Sequence, residues 1–203
     1  MPDSSQYAFG ATELDPGILS SAFRVQTNWH VITGAPSCGK TTLVDQLAAK
    51  GFQTTPEGAR LYIETEIAKG RTIDEIRENA VALQLGIRDM QLSIEGELRA
   101  IDTVFLDRAV PDCLAWHRLF GMNPNEILLE CLHHRYASVL VLDPLPYQVD
   151  SARFEDASIV GYLDEWHTRD YSALGYSIVR VPVLPPEERL VVILERLSER
   201  GLI

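Results

Sequence analysis

Cysteine is scarce in this sequence, and basic residues are outnumbered by acidic ones. The three cysteines, Cys38, Cys113 and Cys131, are odd in number and form no CxxC pair, so they favour neither a disulfide framework nor a zinc site. Lysine and arginine number 18 against 29 aspartates and glutamates, for a formal net charge of −11. This charge repels the phosphates of nucleic acids and of anionic lipids. We therefore expect neither a nucleic acid nor a membrane as partner.

Long hydrophobic runs are also missing. No apolar stretch approaches the roughly 18 residues that span a bilayer, and the N-terminus has no basic segment followed by an apolar one. This pattern predicts a cytoplasmic protein. Hydrophobic residues make up 46% and charged residues 23% of the 203 residues, which is typical of one packed globular domain.

The chain divides by composition near residue 28. Residues 1–27 are rich in turn formers and show no sustained period, so we predict an N-terminal extension that is either mobile or laid across the surface. Residues 28–203 are predicted to form the domain itself.

Predicted strands alternate with predicted helices after that point. The strands are expected at 29–33, 52–55, 103–106, 138–142 and 177–181, and the helices at 41–50, 57–69, 111–119, 125–134 and 186–199. Thr72 and Glu75 form a capping-box pattern that opens a helical segment reaching about residue 99, with a break near Asn79 or Gly86. This alternation, with some strands apolar throughout, predicts an α/β fold with a parallel sheet covered on both faces.

The loop after the first strand carries the strongest signal. Its sequence GAPSCGKT (34–41) matches the phosphate-binding pattern G-x-x-x-x-G-K-[ST], between a predicted strand and a predicted helix. The glycines let backbone N–H groups converge on phosphate, the Lys40 ammonium bridges β- and γ-oxygens, and the Thr41 hydroxyl can ligate Mg²⁺. The residues predicted to bind ATP or GTP here are Gly34, Ala35, Pro36, Ser37, Cys38, Gly39, Lys40, Thr41 and Thr42.

Two strands end in an aspartate that could serve Mg²⁺ or accept a proton from a substrate hydroxyl. These residues are Asp107 and Asp143. We favour Asp107, because the Pro-Leu-Pro sequence after Asp143 suits a residue that caps the turn leaving the strand.

Several stretches together resemble the small P-loop kinases and kinase-like AAA ATPases, a family that includes the ribosylnicotinamide kinase domain of the bacterial NAD regulator. They are GAPSCGKTT (34–42), TPEGAR (55–60), RDMQ (88–91), LDRAVPD (106–112), YQVDSARFED (147–156) and YSALGYSIVRVPVLPPEER (171–189), spread over about three quarters of the chain. The resemblance implies a P-loop NTPase three-layer sandwich with strand order 2-3-1-4-5. It also implies a cleft over the carboxyl ends of the strands and a helical lid at about 147–171.

Roles follow from the resemblance position by position. It implies an acceptor pocket whose substrate-binding residues are Glu57, Arg60, Arg88, Gln91 and Asp112.

The same resemblance implies which residues act on phosphate. Lys40, Asp107, Arg108 and Arg153 would be catalytic, and Thr41 and Asp107 would hold the metal. Asp107 would act as base or as metal ligand, and Arg108 would lie over the phosphates. Arg153 would reach the transferring phosphoryl group from a lid that Asp150 helps to order, and Arg189 would lie near the adenine.

Two functions compete on these observations. The first is an Mg²⁺-dependent phosphotransferase that moves the γ-phosphoryl of ATP to a small nucleoside-, nucleotide- or metabolite-like acceptor. The second is a regulatory module that binds ATP or GTP and hydrolyses it slowly or not at all. A GTPase switch and an ABC-type ATPase are disfavoured, because the N-K-x-D and L-S-G-G-Q segments are missing. The sequence leaves the acceptor and the oligomeric state open.

The phosphate-binding loop yields the first testable prediction. Lys40→Ala should remove most nucleotide turnover while leaving the fold intact, because the ammonium acts on phosphate charge in the transition state. Turnover and thermal melting measured on the same sample check this. Unchanged turnover would contradict the assignment of the loop.

Overall fold

The structure is a computed structural model, and it describes residues 7–145 and 157–203. Its strands are β1 (Val25–Gln26), β2 (Trp29–Thr33), β3 (Gln53–Thr55), β4 (Val104–Asp107), β5 (His134–Arg135), β6 (Ser138–Leu142) and β7 (Ile178–Val181). Its α-helices are α1 (Pro16–Leu19), α2 (Lys40–Ala49), α3 (Gly58–Ala68), α4 (Ile73–Glu78), α5 (Ala80–Gly96), α6 (Asp112–Leu119), α7 (Leu128–Cys131), α8 (Ala157–Ala173) and α9 (Pro186–Glu199).

Five strands form one parallel sheet in the order β3-β4-β2-β6-β7. These are the five strands predicted from the sequence, and in chain order their arrangement is 2-3-1-4-5. The carboxyl end of β2 therefore lies between those of β4 and β6. This places the phosphate-binding loop at the centre of one edge of the sheet.

Alternate residues of the central strands enter two different cores. Val104 and Leu106 belong to a core with residues of α6, α7 and α8, whereas Phe105 belongs to one with residues of α2 and α9. Because successive side chains of a strand point to opposite faces, this division covers both faces of the sheet. The predicted three-layer α/β fold is confirmed.

The helical segment after Thr72 breaks at Asn79, one of the two positions at which the sequence predicts a break. Thr72 and Glu75 form both halves of a capping box at the start of α4. The Asn79 side chain then accepts a hydrogen bond from the backbone N–H of Ala82 and caps α5. Asn79 has extended rather than helical backbone, so the chain changes direction there and α5 can follow the cleft.

The predicted helix at 125–134 forms only in part. A 3₁₀ turn at Pro124–Glu126 precedes the single turn of α7, and the chain then enters β5. Tertiary contacts override the helical pattern, because β5 pairs with β1 and the His134 ring bonds to the buried Glu95 carboxylate.

Residues 7–27 run along the domain and are bonded to it at several points. The backbone N–H groups of Ala8 and Gly10 donate to the carbonyls of Leu119 and Arg118 at the end of α6. Leu14 is buried in the core beneath α7, and β1 continues the segment as a parallel partner of β5.

None of the helices in ranges 7–145 and 157–203 is long and apolar enough to cross a membrane.

A buried ion pair joins α6 to α8. The Arg118 guanidinium donates two hydrogen bonds to Asp170, at 2.6 and 2.8 Å, and a third to the carbonyl of Thr12. It also stacks 4.1 Å from the centre of the Trp166 ring. One side chain therefore holds together two helices and the N-terminal segment.

Arg118→Met should lower the free energy of unfolding by about 3–5 kcal/mol, because the Asp170 carboxylate is left buried without its partner. The double variant Arg118→Met/Asp170→Leu should recover part of this loss, since no uncompensated charge remains. Arg99→Met, in an exposed pair with Asp102 at 4.0 Å, is the control and should change stability little. Denaturant titration measures all three. Equal losses for Arg118→Met and Arg99→Met would contradict the role of the buried pair.

Candidate active site

The loop between β2 and α2 depends on its two glycines, at positions 34 and 39. Gly34 has φ 138°, and a Cβ there would lie 2.6 Å from the carbonyl oxygen of Leu142. Gly39 has φ 90° and leads directly into α2. Any side chain at position 34 would push the loop away from β6. The loop thus has the close backbone wrap and the helix N-terminus that phosphate binding requires.

Lys40 is folded back onto this loop. Its Nζ donates to the carbonyl oxygen of Ala35 at 2.8 Å and to that of Gly34 at 3.3 Å. Burial lowers the pKa of Lys40, and the charge of Arg108 lowers it further. The ammonium therefore occupies the concave side of the loop, where a phosphate chain would compete with the two carbonyls for it.

Arg189 braces the loop from α9. Its Nη1 donates to the carbonyl oxygen of Cys38 at 2.6 Å, and its Nε donates to that of Pro182 at 3.1 Å. The side chain is buried, so it fixes the backbone of the loop. Its predicted contact with the adenine stays a prediction.

Thr41 and Asp107 meet beside the loop. The Thr41 hydroxyl donates to Asp107 Oδ2 at 3.3 Å, and the backbone N–H of Asp107 donates to the Thr55 hydroxyl. Burial raises the pKa of Asp107 to about 6, with a further contribution from the Glu57 charge. Asp107 Oδ1 is buried and has no hydrogen-bond partner among the described residues.

The other candidate aspartate is engaged elsewhere. Asp143 binds the Arg180 guanidinium, with Oδ1 at 2.8 Å from Nε, and Arg180 also bonds to Asp164 of α8. This ion pair ties β6 and β7 to α8. The geometry agrees with the preference for Asp107.

The donors around Thr41 suit Mg²⁺. A hydroxyl and a carboxylate with one unsatisfied buried oxygen supply the hard oxygen ligands that this ion takes alongside phosphate and water. Within ranges 7–145 and 157–203 there is no cluster of three or more His, Cys, Asp or Glu side chains that would hold a metal without phosphate. Thr41 and Asp107 are thus the residues that fit a nucleotide-bound ion.

Arg108 is the hub of a polar network beside the phosphate-binding loop. It has φ 69°, and its Nε donates to Glu57 while its Nη1 donates to Asp112, both at 3.0 Å. Burial alone would lower the pKa of Arg108, but Glu57 and Asp112 raise it above its ordinary value. Both carboxylates therefore neutralise a permanent cation at the floor of the cleft.

Three residues that complete this network were missed by sequence reasoning. Thr33 and Tyr171 both donate hydroxyl hydrogen bonds to Asp112, the second at 2.6 Å, and His167 Nε2 lies 3.5 Å from Arg108 Nη1. Burial lowers the pKa of His167 to about 3, so the imidazole is neutral. The i, i+4 spacing of His167 and Tyr171 on one helix is the signal that could have identified them.

Gln91 supports the same hub from α5. Its Nε2 donates to the carbonyl oxygen of Arg108 and to Glu95, both at 3.2 Å. Gly58 at the start of α3 packs against it so closely that a Cβ would lie 2.7 Å from Gln91 Oε1. Gln91 thus joins the network around Arg108 with its amide bonded to protein, and its predicted contact with substrate stays a prediction.

A cleft of about 860 Å³ joins the loop to this network. At one end lie Lys40, Thr41 and Thr42. At the other, α3, α5 and α6 contribute a mixed apolar and polar wall. The residues of that wall and of its rim include Tyr7, Glu57, Ile63, Asp74, Arg77, Glu78, Leu83, Gln84, Ile87, Gln91, Arg108, Asp112, Trp116 and Phe120.

The structure does not bring every predicted residue to the cleft. Arg60 is exposed and pairs with Glu64 at 3.6 Å, and Arg88 pairs with the adjacent Asp89 at 2.7 Å. Neither is among the residues that line the cavity. Their predicted substrate contacts lack support in this arrangement.

The predicted lid falls partly outside the described residues. Asp150 and Arg153 are among residues 146–156, which the structure does not describe. Residues 157–171 belong to α8, where Ile159, Leu163 and Trp166 pack against α6. The role of Arg153 stays a prediction.

Comparisons with known proteins agree with this architecture. A family model described as an AAA domain matches residues 29–189. No curated protein matched the sequence. NadR protein in complex with NR superposes with a TM-score of 0.63 and 19% identity, over 85% of this chain and 50% of NadR. NadR in complex with NAD and AMP-PNP superposes with a TM-score of 0.62 and 20% identity, over 86% of this chain and 50% of NadR. This chain thus spans about half the length of the NadR chains.

Two further structures match over nearly their whole length. Shikimate kinase from Aquifex aeolicus has a TM-score of 0.51 and 19% identity, over 86% of this chain and 98% of its own. Deoxyadenosine kinase from M. mycoides has a TM-score of 0.57 and 12% identity, over 84% of this chain and 99% of its own. These likenesses establish the P-loop fold. The family model covers well over half of the sequence, and the chain therefore belongs to the AAA domain family.

Proposed function

We propose that this protein is an Mg²⁺-dependent phosphotransferase that moves the γ-phosphoryl group of ATP to a hydroxyl group of a small acceptor without a phosphate of its own. The observation that carries this proposal is the single cleft that joins the phosphate-binding loop to a separate set of polar groups around Arg108. A module that only binds and slowly hydrolyses ATP has no need of that second half.

The nucleotide side of the cleft has three tasks. The loop N–H groups would hold the phosphates, and Lys40 would leave the Ala35 carbonyl to bridge the β- and γ-oxygens. Thr41 and Asp107 would hold Mg²⁺, which when bound neutralises phosphate charge. We assign Asp107 to this side, because its carboxylate already accepts the Thr41 hydroxyl bond.

The acceptor side orients the nucleophile. The acceptor oxygen would bond to the γ-phosphorus as the bond to the β,γ-bridging oxygen breaks and ADP departs, and the hydroxyl proton would leave to a carboxylate or to solvent. Catalysis of this step is largely positioning and charge stabilisation. Glu57, Arg108 and Asp112 are held in place by one another, which suits that task.

Charge at this end favours an acceptor that carries no phosphate. Arg108 is shared between Glu57 and Asp112, and two further carboxylates, Asp74 and Glu78, line the cleft. Among the described residues that line the cleft, Arg77 is the only cation besides Lys40 and Arg108. A second phosphate would meet net negative charge there.

The solved neighbours support the class of reaction. Two of them are kinases of small molecules, shikimate and deoxyadenosine, and one NadR structure was solved with AMP-PNP. We carry over from them only the transfer of a phosphoryl group from ATP to a small hydroxyl compound. We also propose that the protein is located in the cytoplasm.

The metal assignment predicts unequal effects at two aspartates. Asp107→Asn should lower Mg²⁺-dependent turnover by about 10–100-fold or more, because the charged oxygen ligand that Asp107 would give to Mg²⁺ is replaced by a neutral amide. Asp143→Asn should change turnover little, since Asp143 pairs with Arg180 away from the loop. Initial rates over an Mg²⁺ titration measure both. Greater sensitivity at Asp143 would show that the metal lies on the other side of the loop.

The phosphotransferase itself is tested by acceptor-stimulated release of ADP. Pairs of compounds that differ only in a phosphate, such as a nucleoside and its 5′-monophosphate, should be added with ATP and Mg²⁺. The uncharged member should raise ADP release above background hydrolysis and appear as a new phosphate ester by mass spectrometry. Tight ATP binding without stimulation by any hydroxyl compound would favour the regulatory module instead.

A further inference from the structure

The N-terminal segment contributes a side chain to the cleft. Of the described residues that precede position 29, only Tyr7 lines it. The family model begins at residue 29, so this lining residue comes from outside the part of the chain that the model matches. Tyr7 is partly buried and packs against a small core formed by residues of α6 and α8. The cleft is therefore completed by a segment that the P-loop domain itself does not supply.

Helix α6 connects the Arg108 network to this segment. The cleft-lining residues of α6 and its C-cap are Asp112, Cys113, Trp116 and Phe120. Asp112 begins the helix and accepts a hydrogen bond from Arg108. Phe120 follows its last turn, and the centroid of its ring lies 5.3 Å from that of the Tyr7 ring. Eight residues of helix rise by about 12 Å, so Tyr7 lies at the opposite end of α6 from the network.

Backbone hydrogen bonds hold the segment in this position. The N–H group of Ala8 donates to the carbonyl of Leu119 at 2.7 Å, and that of Gly10 donates to the carbonyl of Arg118 at 3.0 Å. Both acceptors belong to the last turn of α6, where carbonyls lack partners within the helix. Gly10 approaches so closely that a Cβ would lie 2.9 Å from the Arg118 oxygen. The Tyr162 hydroxyl donates to the Gly10 carbonyl at 2.6 Å, so the segment is bonded to both α6 and α8.

Contacts further along the chain fix the segment as well. The N–H group of Asp15 donates to Asn125 Oδ1 at 2.8 Å, and Glu13 pairs with Arg169 of α8 at 2.6 Å. Leu14, between them, is buried in the main core. The segment is thus part of the folded domain, and it holds Tyr7 at the cleft before any ligand binds.

We infer that Tyr7 is a specificity-determining residue that sets the greatest length of acceptor the cleft takes. The inference rests on the proposed function, because it places the acceptor hydroxyl beside Arg108. The part of the acceptor that does not react extends along α6 and ends at the Tyr7 ring. A longer acceptor has to displace a ring that packs on Phe120, or a segment that is bonded to two helices.

Alkyl esters of the γ-phosphate of ATP measure this length without phosphoryl transfer. The triphosphate places the probe in the phosphate-binding loop, and the alkyl chain extends from the γ-phosphate toward the acceptor end. The apolar residues that line the cleft include Leu83, Ile87, Trp116 and Phe120, so burial of an alkyl chain there is favourable. Esters in two-carbon steps from ethyl to tetradecyl cover the distance, because an extended chain gains about 1.2 Å per bond.

The affinity of each ester for the full chain is measured by calorimetry with Mg²⁺, below the concentration at which the ester forms micelles. In wild-type protein, affinity should rise with chain length and then stop rising when the chain meets Tyr7. Tyr7→Ala removes the ring, so affinity should continue to rise. The longest esters should then bind this variant about tenfold or more tightly than wild type, which is the gain from two further buried methylene groups.

Two variants serve as controls for the ring. Tyr7→Phe keeps the ring and should keep the wild-type limit. Phe9→Ala removes a neighbouring ring that is 39% exposed and is not among the described residues that line the cleft, so it should keep the limit too. Thermal melting establishes that each variant is folded.

Three results overturn the inference. The first is a wild-type affinity that does not stop rising within the series, and the second is a folded Tyr7→Ala variant with the wild-type limit. The third is the same shift in Phe9→Ala or Tyr7→Phe as in Tyr7→Ala, which would show that the Tyr7 ring is not what limits the chain.

The outcome is separable from the proposed function, because the ester series depends only on nucleotide binding. A limit that depends on Tyr7, in a protein that phosphorylates no hydroxyl compound, would count against the transfer reaction and leave Tyr7 as the end of the cleft. Acceptor-stimulated release of ADP, with equal limits in wild type and Tyr7→Ala, would count against Tyr7 alone.

Discussion

The site depends on the fixed position of Arg108. This residue follows β4 in a left-handed backbone conformation, and Glu57 and Asp112 hold its guanidinium from opposite sides. Asp112 is held in turn by hydroxyl groups from β2 and α8. Elements that are distant in sequence therefore meet at one side chain, and removal of Arg108 would leave the buried Asp112 carboxylate without its arginine partner.

This arrangement divides the cleft into two parts of different electrostatic character. Lys40 and the start of α2 make the loop end attractive to phosphate, whereas the Arg108 cation is cancelled at the other end by its two carboxylates. The positive potential is thus concentrated where ATP would lie. A cleft with one cationic end orients an asymmetric pair of ligands without any movement of the backbone.

The sequence was informative where local chemistry decides the structure. The glycines at 34 and 39, the capping box at Thr72 and the apolar strands all act through neighbouring residues, and each element formed where it was predicted. The central position of β2 followed from the family resemblance. The break of the long helical segment was expected near Asn79 or Gly86, and the side-chain cap at Asn79 decides between the two.

Other features depend on contacts between distant residues and left no local trace. The pairing of β1 with β5 overrode a helical pattern, and Arg60 matches the resemblance in sequence yet lies on the outer face of α3.

The brace between Arg189 and the Cys38 carbonyl has a consequence for the course of nucleotide binding. Because α9 holds the loop backbone, and Gly34 has room for no other residue, the loop is ordered when the domain folds. The conformational entropy of the loop is then lost before ATP arrives, and binding does not have to supply it. On the proposed function, what remains is an exchange at one side chain, in which Lys40 would release two carbonyl oxygens and take phosphate oxygens in their place.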